Sequence, residues 1–294
     1  MRKTFIALLA LALAMPLTGN AQRKRAFMVG ISNYDTSVTG WDEIHGAEDV
    51  YLLQPELENQ GFQVTALVND DATHDNILAA MDQFAKGTQK GDVLYMHFSC
   101  HGQPVEDGLN GNQLDEADGW DEALIPIDAG SQYREGVYVG DKHILDDDLN
   151  LFFESLRSRV GPSGAVYVAF DACHSGTMSR DMDFATVRGT SDGFTATGKR
   201  FRPPFDDTKH FQITQAVDQA PILFLEACKA RERNTELFID GVEYGSITYN
   251  VLQAIKKNPL GRDGKQFERD VVESAQQPGH WNDSQHMVIE TSFK

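Results

Sequence analysis

The sequence predicts an α/β fold, a mostly parallel central sheet flanked by helices on both faces. Two features point there. Short apolar runs of strand length alternate along the chain with segments whose apolar residues recur at helical spacing. Most of those runs are apolar throughout, as in strands covered on both sides. The 294 residues, 41% hydrophobic and 24% charged, are enough to build a sizeable core.

Taken in order, residues 25–31 read as a buried strand. Residues 46–60 carry Ala47, Val50, Leu53 and Leu57 at helical spacing and stop before Gly61, and Pro55 inside them predicts a break or kink. Residues 62–68 alternate as a strand and end in the turn residues Asn69, Asp70 and Asp71. Residues 73–85 place Ile77, Leu78, Met81 and Phe84 on one helical face, and residues 93–99 form the third strand. The periodicity then vanishes from 102 to 142. It returns as a helix at 146–160 and a buried strand at 165–170, and is lost again over 178–215. A fifth strand at 221–227, helices at 246–256 and 264–275, and an edge strand at 286–290 complete the chain, with no internal repeat.

The first residues stand apart. Arg2 and Lys3 precede an apolar stretch at 5–17, and small residues lead to Ala21, the three-part layout of a secretory signal peptide. The stretch is shorter than the roughly 20 residues a membrane span needs. A buried N-terminal strand or helix is the alternative. The expected organisation is a signal peptide at 1–21 and a single domain at 22–294, exported to the periplasm or beyond the cell. Losing residues 1–21 removes two basic groups, so the net charge moves from −18 to −20. That acidity argues against nucleic acid or an anionic membrane as partner. Three cysteines in an oxidising compartment make no disulfide framework, which leaves at least one thiol for chemistry.

In such sheets ligands bind beyond the carboxyl ends of the strands. The third strand runs into Ser99-Cys100-His101-Gly102, and the fourth into Asp171-Ala172-Cys173-His174-Ser175-Gly176. Neighbouring strands about 4.8 Å apart bring a thiol and an imidazole together at one rim. The imidazole can then draw off the thiol proton to give a nucleophilic thiolate. Gly102 lets a backbone N–H approach a substrate carbonyl, and with the N–H of Cys173 it could form an oxyanion hole. A buried cysteine and a structural histidine are the bland alternatives for each residue alone.

Further segments join these two: AFMVGISNY, GAEDV, GDVLYMHFSCHG, DGWDEALIPID, ILDDDL, VYVAFDACHSGT, ILFLEACKARE and YGSITYNVLQAI. Over residues 25–278 the sequence resembles the metacaspase and caspase-like clan of cysteine peptidases. The resemblance implies a caspase-like fold in three layers, with Cys173 as nucleophile and His101 as base. His174 is then a turn residue, and Cys100 and Cys228 are small buried hydrophobes. One departure is Cys100, since relatives commonly have Ser-Gly before His-Gly. The DACHSG context also differs from the Q-A-C-x-G of aspartate-specific caspases.

The resemblance further implies cleavage after Arg or Lys, with acidic residues in the substrate pocket. The matching positions are Asp49 and Asp171, although the helix dipole alone would favour a carboxylate at Asp49. Residues 106–148 hold 13 Asp or Glu against Arg134 and Lys142. The resemblance implies no required cofactor, with calcium as an activator, since many metacaspases are calcium-activated. The matching positions are Asp121, Asp146 and Asp147, with Asp181 a further candidate. No EF-hand spacing is present, Asp146 would serve equally as a helix cap, and acidic loops are often simply solvated. The stretch 178–215 carries Arg180, Arg188, Lys199, Arg200 and Arg202, a candidate self-cleavage site for a basic-specific peptidase. The expected partners are peptides or proteins with basic residues. The alternative function is a catalytically silent caspase-like binding domain with an acidic, calcium-binding surface.

Overall fold

The structure, a computed structural model, describes residues 22–109, 118–173, 186–190, 192–203, 213 and 216–294. Its centre is a six-stranded sheet in the order β11-β8-β7-β3-β1-β2. The strands are β1 (Lys24–Gly30), β2 (Phe62–Val68), β3 (Val93–Ser99), β7 (Ala165–Asp171), β8 (Ile222–Glu226) and β11 (Val288–Thr291). All neighbours run parallel except β11, which pairs antiparallel with β8 at the edge. Every residue of β3, β7 and β8 is buried, the pattern expected of strands covered on both faces.

Helices close both faces, so the predicted three-layer architecture is what forms. On one face, α3 (His74–Gly87) and α4 (Asp146–Val160) contribute Ile77, Met81, Leu149 and Phe153 to a core with Phe27, Phe98 and Phe224. On the other, α2 (Gly46–Asn59), α5 (Ser246–Lys257) and α6 (Gly264–Ala275) contribute Leu53, Leu57, Val251, Ile255 and Phe267, which surround Met28, Tyr95 and Tyr167. A four-residue helix, α1 (Thr36–Thr39), follows β1.

Two expectations need correction. Helix α2 runs through Pro55 without the expected break. Pro55 and Tyr51 both lie on the exposed face, where solvent can satisfy the carbonyl that Pro55 leaves without a donor. The non-periodic stretch after residue 102 is not all loop. It contains the antiparallel sheet β4 (His101–Glu106), β5 (Trp120–Ile125) and β6 (Ile144–Leu145). Gly102 and Pro104 hide β4 because both residue types are depleted in strands. Pro104 is tolerated because β4 is an edge of that sheet, where its carbonyl accepts from the N–H of Phe194 at 2.8 Å. A short hairpin, β9 (Leu237–Ile239) with β10 (Val242–Tyr244), was likewise not predicted.

Residues 1–21, His174, Arg180 and Asp181 lie outside the described residues. Among the described residues no helix is long and apolar enough to cross a membrane.

Candidate active site

Strands β3 and β7 are neighbours in register, with Ser99 opposite Asp171, so both sequence-predicted strand ends reach the same rim. His101 begins β4, and Cys173 follows β7 by two residues; both are buried.

His101 is fixed on every side. Its ring stacks on Trp41 with centroids 4.8 Å apart and lies 4.9 Å from Tyr34. Nε2 donates to the carbonyl of Asp42 at 2.9 Å, and Nδ1 accepts from the backbone N–H of Gly189 at 2.9 Å. That N–H can only donate, so the neutral ring carries its hydrogen on Nε2 and offers a lone pair at Nδ1. Burial holds its pKa down, to about 4, which leaves the ring uncharged at neutral pH.

The Cys173 thiol donates to the carbonyl of Glu232 at 3.2 Å, and the Cys228 thiol donates to Cys173 Sγ at 3.1 Å. Gly189 sits against Cys173 as a parallel bridge. Its φ of +122° favours glycine, and a Cβ there would overlap the carbonyl oxygen of Cys173 and lie 2.9 Å from that of Gly102. The two expected oxyanion-hole residues, Gly102 and Cys173, therefore flank the backbone of Gly189.

The predicted acidic pocket is already filled by the chain itself. Arg188, completely buried, donates from Nη1 to Oδ2 of Asp49 at 2.6 Å, to Ser99 Oγ at 2.5 Å and to the main-chain carbonyl of Asp171 at 3.3 Å. Its Nε donates to Oε1 of Glu236 at 2.9 Å. Burial outweighs Arg188 and raises the Asp49 pKa to about 6, with Asp171 adding to the rise.

Asp49 thus meets the guanidinium through its carboxylate, whereas Asp171 does so through its backbone. The Asp171 carboxylate accepts from Asn234 Nδ2 at 3.0 Å and from the N–H and hydroxyl of Thr248 at 2.8 and 2.7 Å. It caps the first turn of α5. The second carboxylate on the arginine, Glu236, was not foreseen. It lies just before β9, in a stretch without periodicity, and no local motif marks it. Nor was Trp41 foreseen, although a tryptophan in the acidic stretch after β1 was a visible signal.

Beside His101 an open cleft of about 760 Å³ is lined by Trp41, Asp42, Gln103, Val187, Gly189 and Asp192, among others. The arrangement could receive a chain running through 187–189, hold a basic side chain in the pocket and present the next amide to His101.

The candidate calcium residues lie elsewhere. Asp121 is buried on β5, and Asp146 and Asp147 open α4. Asp146 accepts from the N–H of Glu122 at 3.3 Å, so the buried carboxylates of Asp121 and Asp146 belong to adjoining segments. Among the described residues, no three ligand atoms from this set converge within 4.8 Å. A calcium ion takes six to eight oxygen ligands, more than these three carboxylates would supply.

Comparison with known proteins places the chain in a family. Residues 24–182, more than half of the chain, match the family described as "Metacaspase, peptidase C14 domain". Metacaspase-1 of Pyricularia oryzae is 30% identical over 177 residues, 58% of this chain and 40% of that protein. Metacaspase-1B of Neosartorya fischeri is 35% identical over 281 residues, 81% of this chain and 62% of that protein. The chain spans less than two thirds of the length of these curated relatives. A crystal structure of a protein from Geobacter sulfurreducens shares the fold at 20% identity, with a TM-score of 0.58 over 92% of this chain and 93% of that one. The chain belongs to the metacaspase peptidase C14 family.

Proposed function

We propose that this metacaspase-family chain is a cysteine endopeptidase that hydrolyses polypeptides on the carboxyl side of arginine or lysine. The observation that carries the reading is the seating of residues 188 and 189. Arg188 fills a pocket walled by Asp49 and Glu236, and the amide nitrogen that follows it is the one hydrogen-bonded to His101. A substrate lying the same way would place its scissile bond between a basic residue and His101.

The chemistry follows from the groups present. Nδ1 of His101 takes the proton of Cys173, whose sulfur attacks the carbonyl carbon of the basic residue. The N–H groups of Gly102 and Cys173 stabilise the oxyanion that forms. The imidazolium then gives its proton to the leaving amide nitrogen, the C–N bond breaks, and a new amino terminus departs. Water, activated by the same ring, hydrolyses the thioester to a carboxylic acid and restores the thiol. Trp41 and the carbonyl of Asp42 hold the ring plane and tautomer throughout.

The same seating favours Arg188–Gly189 as the self-cleavage bond among the candidates in 178–215. Calcium, held in part by Asp121, Asp146 and Asp147, is proposed as an activator. A calcium titration that moves neither activity nor melting temperature removes it.

The test compares wild type with Cys173→Ala on fluorogenic peptides ending in Arg, Lys or Asp, and follows the chain itself by mass spectrometry. Turnover after Arg and Lys and a new terminus at Gly189, both absent in the variant, are expected. No turnover of any peptide defeats the enzyme reading, and turnover only after Asp defeats the pocket assignment.

A further inference from the structure

Strands β7 and β8 are parallel neighbours, with Phe170 opposite Glu226. Both end in the same pattern, an acidic residue, alanine and cysteine: Asp171-Ala172-Cys173 and Glu226-Ala227-Cys228. The repeated ending brings two thiols to one rim. The Cys228 sulfur lies 3.1 Å from that of Cys173, and both thiols face the carbonyl oxygen of Glu232, at 3.7 and 3.2 Å. Cys228 is buried, as the expected small hydrophobe would be, and its sulfur also meets that of Cys173. Cys100, the third cysteine, is buried in the core cluster on the other side of β3 from α2, α5 and α6.

We infer that Cys173 and Cys228 form a reversible redox site, in which peroxide oxidation links the two sulfurs and blocks the nucleophile. In the first step the Cys173 thiolate attacks a peroxide oxygen. An S–O bond forms, the O–O bond breaks and hydroxide leaves, so sulfur is oxidised by two electrons to the sulfenic acid and the peroxide is reduced. In the second step the Cys228 sulfur attacks that sulfenic sulfur. The S–S bond forms, the S–O bond breaks, and hydroxide leaves with the Cys228 proton as water. A disulfide needs the sulfurs about 1 Å closer than they lie here, a movement within the reach of side-chain rotation. Small-molecule thiols reverse the link by exchange, forming their own disulfide and returning both cysteines. Without Cys228 the sulfenic acid has no resolving partner and proceeds to the irreversible sulfinic acid.

The proposal deepens the reading of Cys173 as nucleophile, and its primary readout does not depend on that reading. The full chain is exposed to hydrogen peroxide, unfolded in an alkylating agent, digested and analysed by mass spectrometry. A peptide linking Cys173 to Cys228, with Cys100 alkylated, is expected. It would support the redox site even if no peptidase activity were found. Absence of that peptide while Cys173 becomes oxidised overturns the proposal.

The second readout uses peptidase activity. Dithiothreitol should restore most of the peroxide-treated wild-type activity. Cys228→Ser and Cys228→Ala should regain less than about a tenth and carry sulfinic Cys173. Equal recovery in wild type and either folded variant also overturns the proposal. A failure of proteolysis in untreated protein would count against the enzyme reading alone.

Discussion

The backbone N–H of Gly189 donates to Nδ1 of His101 at 2.9 Å. It belongs to the peptide bond that follows Arg188, and Arg188 is anchored by Asp49 and Glu236. The basic nitrogen of the proposed catalytic ring therefore already holds an amide placed as a leaving group would be. In the proposed function, residues 187–189 lie along the path a substrate would take.

Occupancy of the pocket predicts a lag. Fresh wild-type protein should hydrolyse added Arg peptides slowly at first and accelerate as the 188–189 bond is cut. Arg188→Gln removes the anchor, and Gly189→Ala places a methyl group against the Cys173 carbonyl. Both should abolish the lag. Progress curves, with mass spectrometry of the chain, check this; a lag unchanged in both variants excludes the occupancy account. Arg188→Gln should also destabilise the uncut protein by about 3 kcal/mol, because Asp49 and Glu236 lose a buried cation.

The pocket geometry predicts arginine over lysine. Asp49 takes Nη1 and Glu236 takes Nε, two nitrogens on different sides of one planar group. A lysine ammonium offers a single point of contact. We expect kcat/KM for Arg peptides to exceed that for Lys peptides by about tenfold. Glu236→Gln should shrink this ratio, whereas Asp49→Asn should lower both values by about 100-fold. Equal use of both peptides by the wild type would refute the two-carboxylate grip.

Fixing the ring predicts a loss without misfolding. Trp41→Leu removes the stacked surface under His101 while leaving the Asp42 carbonyl in place. Its kcat should fall by about tenfold with little change in KM, because the ring positions a proton and does not bind the side chain of the substrate. An unchanged kcat would show that the remaining contacts suffice.

Buried histidines set the response to acid. Burial holds His97, His101 and His143 down, each to about 4. Between about pH 6.5 and 4 the unfolded chain binds protons at these sites that the folded chain refuses, so stability falls as pH falls, roughly 1 kcal/mol per pH unit for each. Asp49, raised to about 6, acts in the opposite sense, since the folded state keeps its proton up to that pH. Three groups outweigh one, and the melting temperature should drop between pH 6.5 and 4.5. His143→Gln should flatten that slope. A melting temperature constant across the range would contradict these assignments.

Much of the fold was legible because its signals are local. Fully buried runs such as VLYMHFS and AVYVAFD, the helical spacing of Leu53 with Leu57, and the order of elements determined a parallel sheet with covered faces. The same local reading placed His101 and Cys173 at one rim, since both sit where strands end. What it could not supply depends on distant parts of the chain meeting. Glu236 joins Asp49 from 187 positions away only because both reach Arg188, and Gly189 reaches His101 from 88 positions away. Cys228 meets Cys173 only because β8 is the neighbour of β7. Sequence by itself determined which residues could do chemistry. Tertiary structure decided which of them touch, because hydrogen bonds and ion pairs form between atoms a few ångströms apart, and strand order sets those distances.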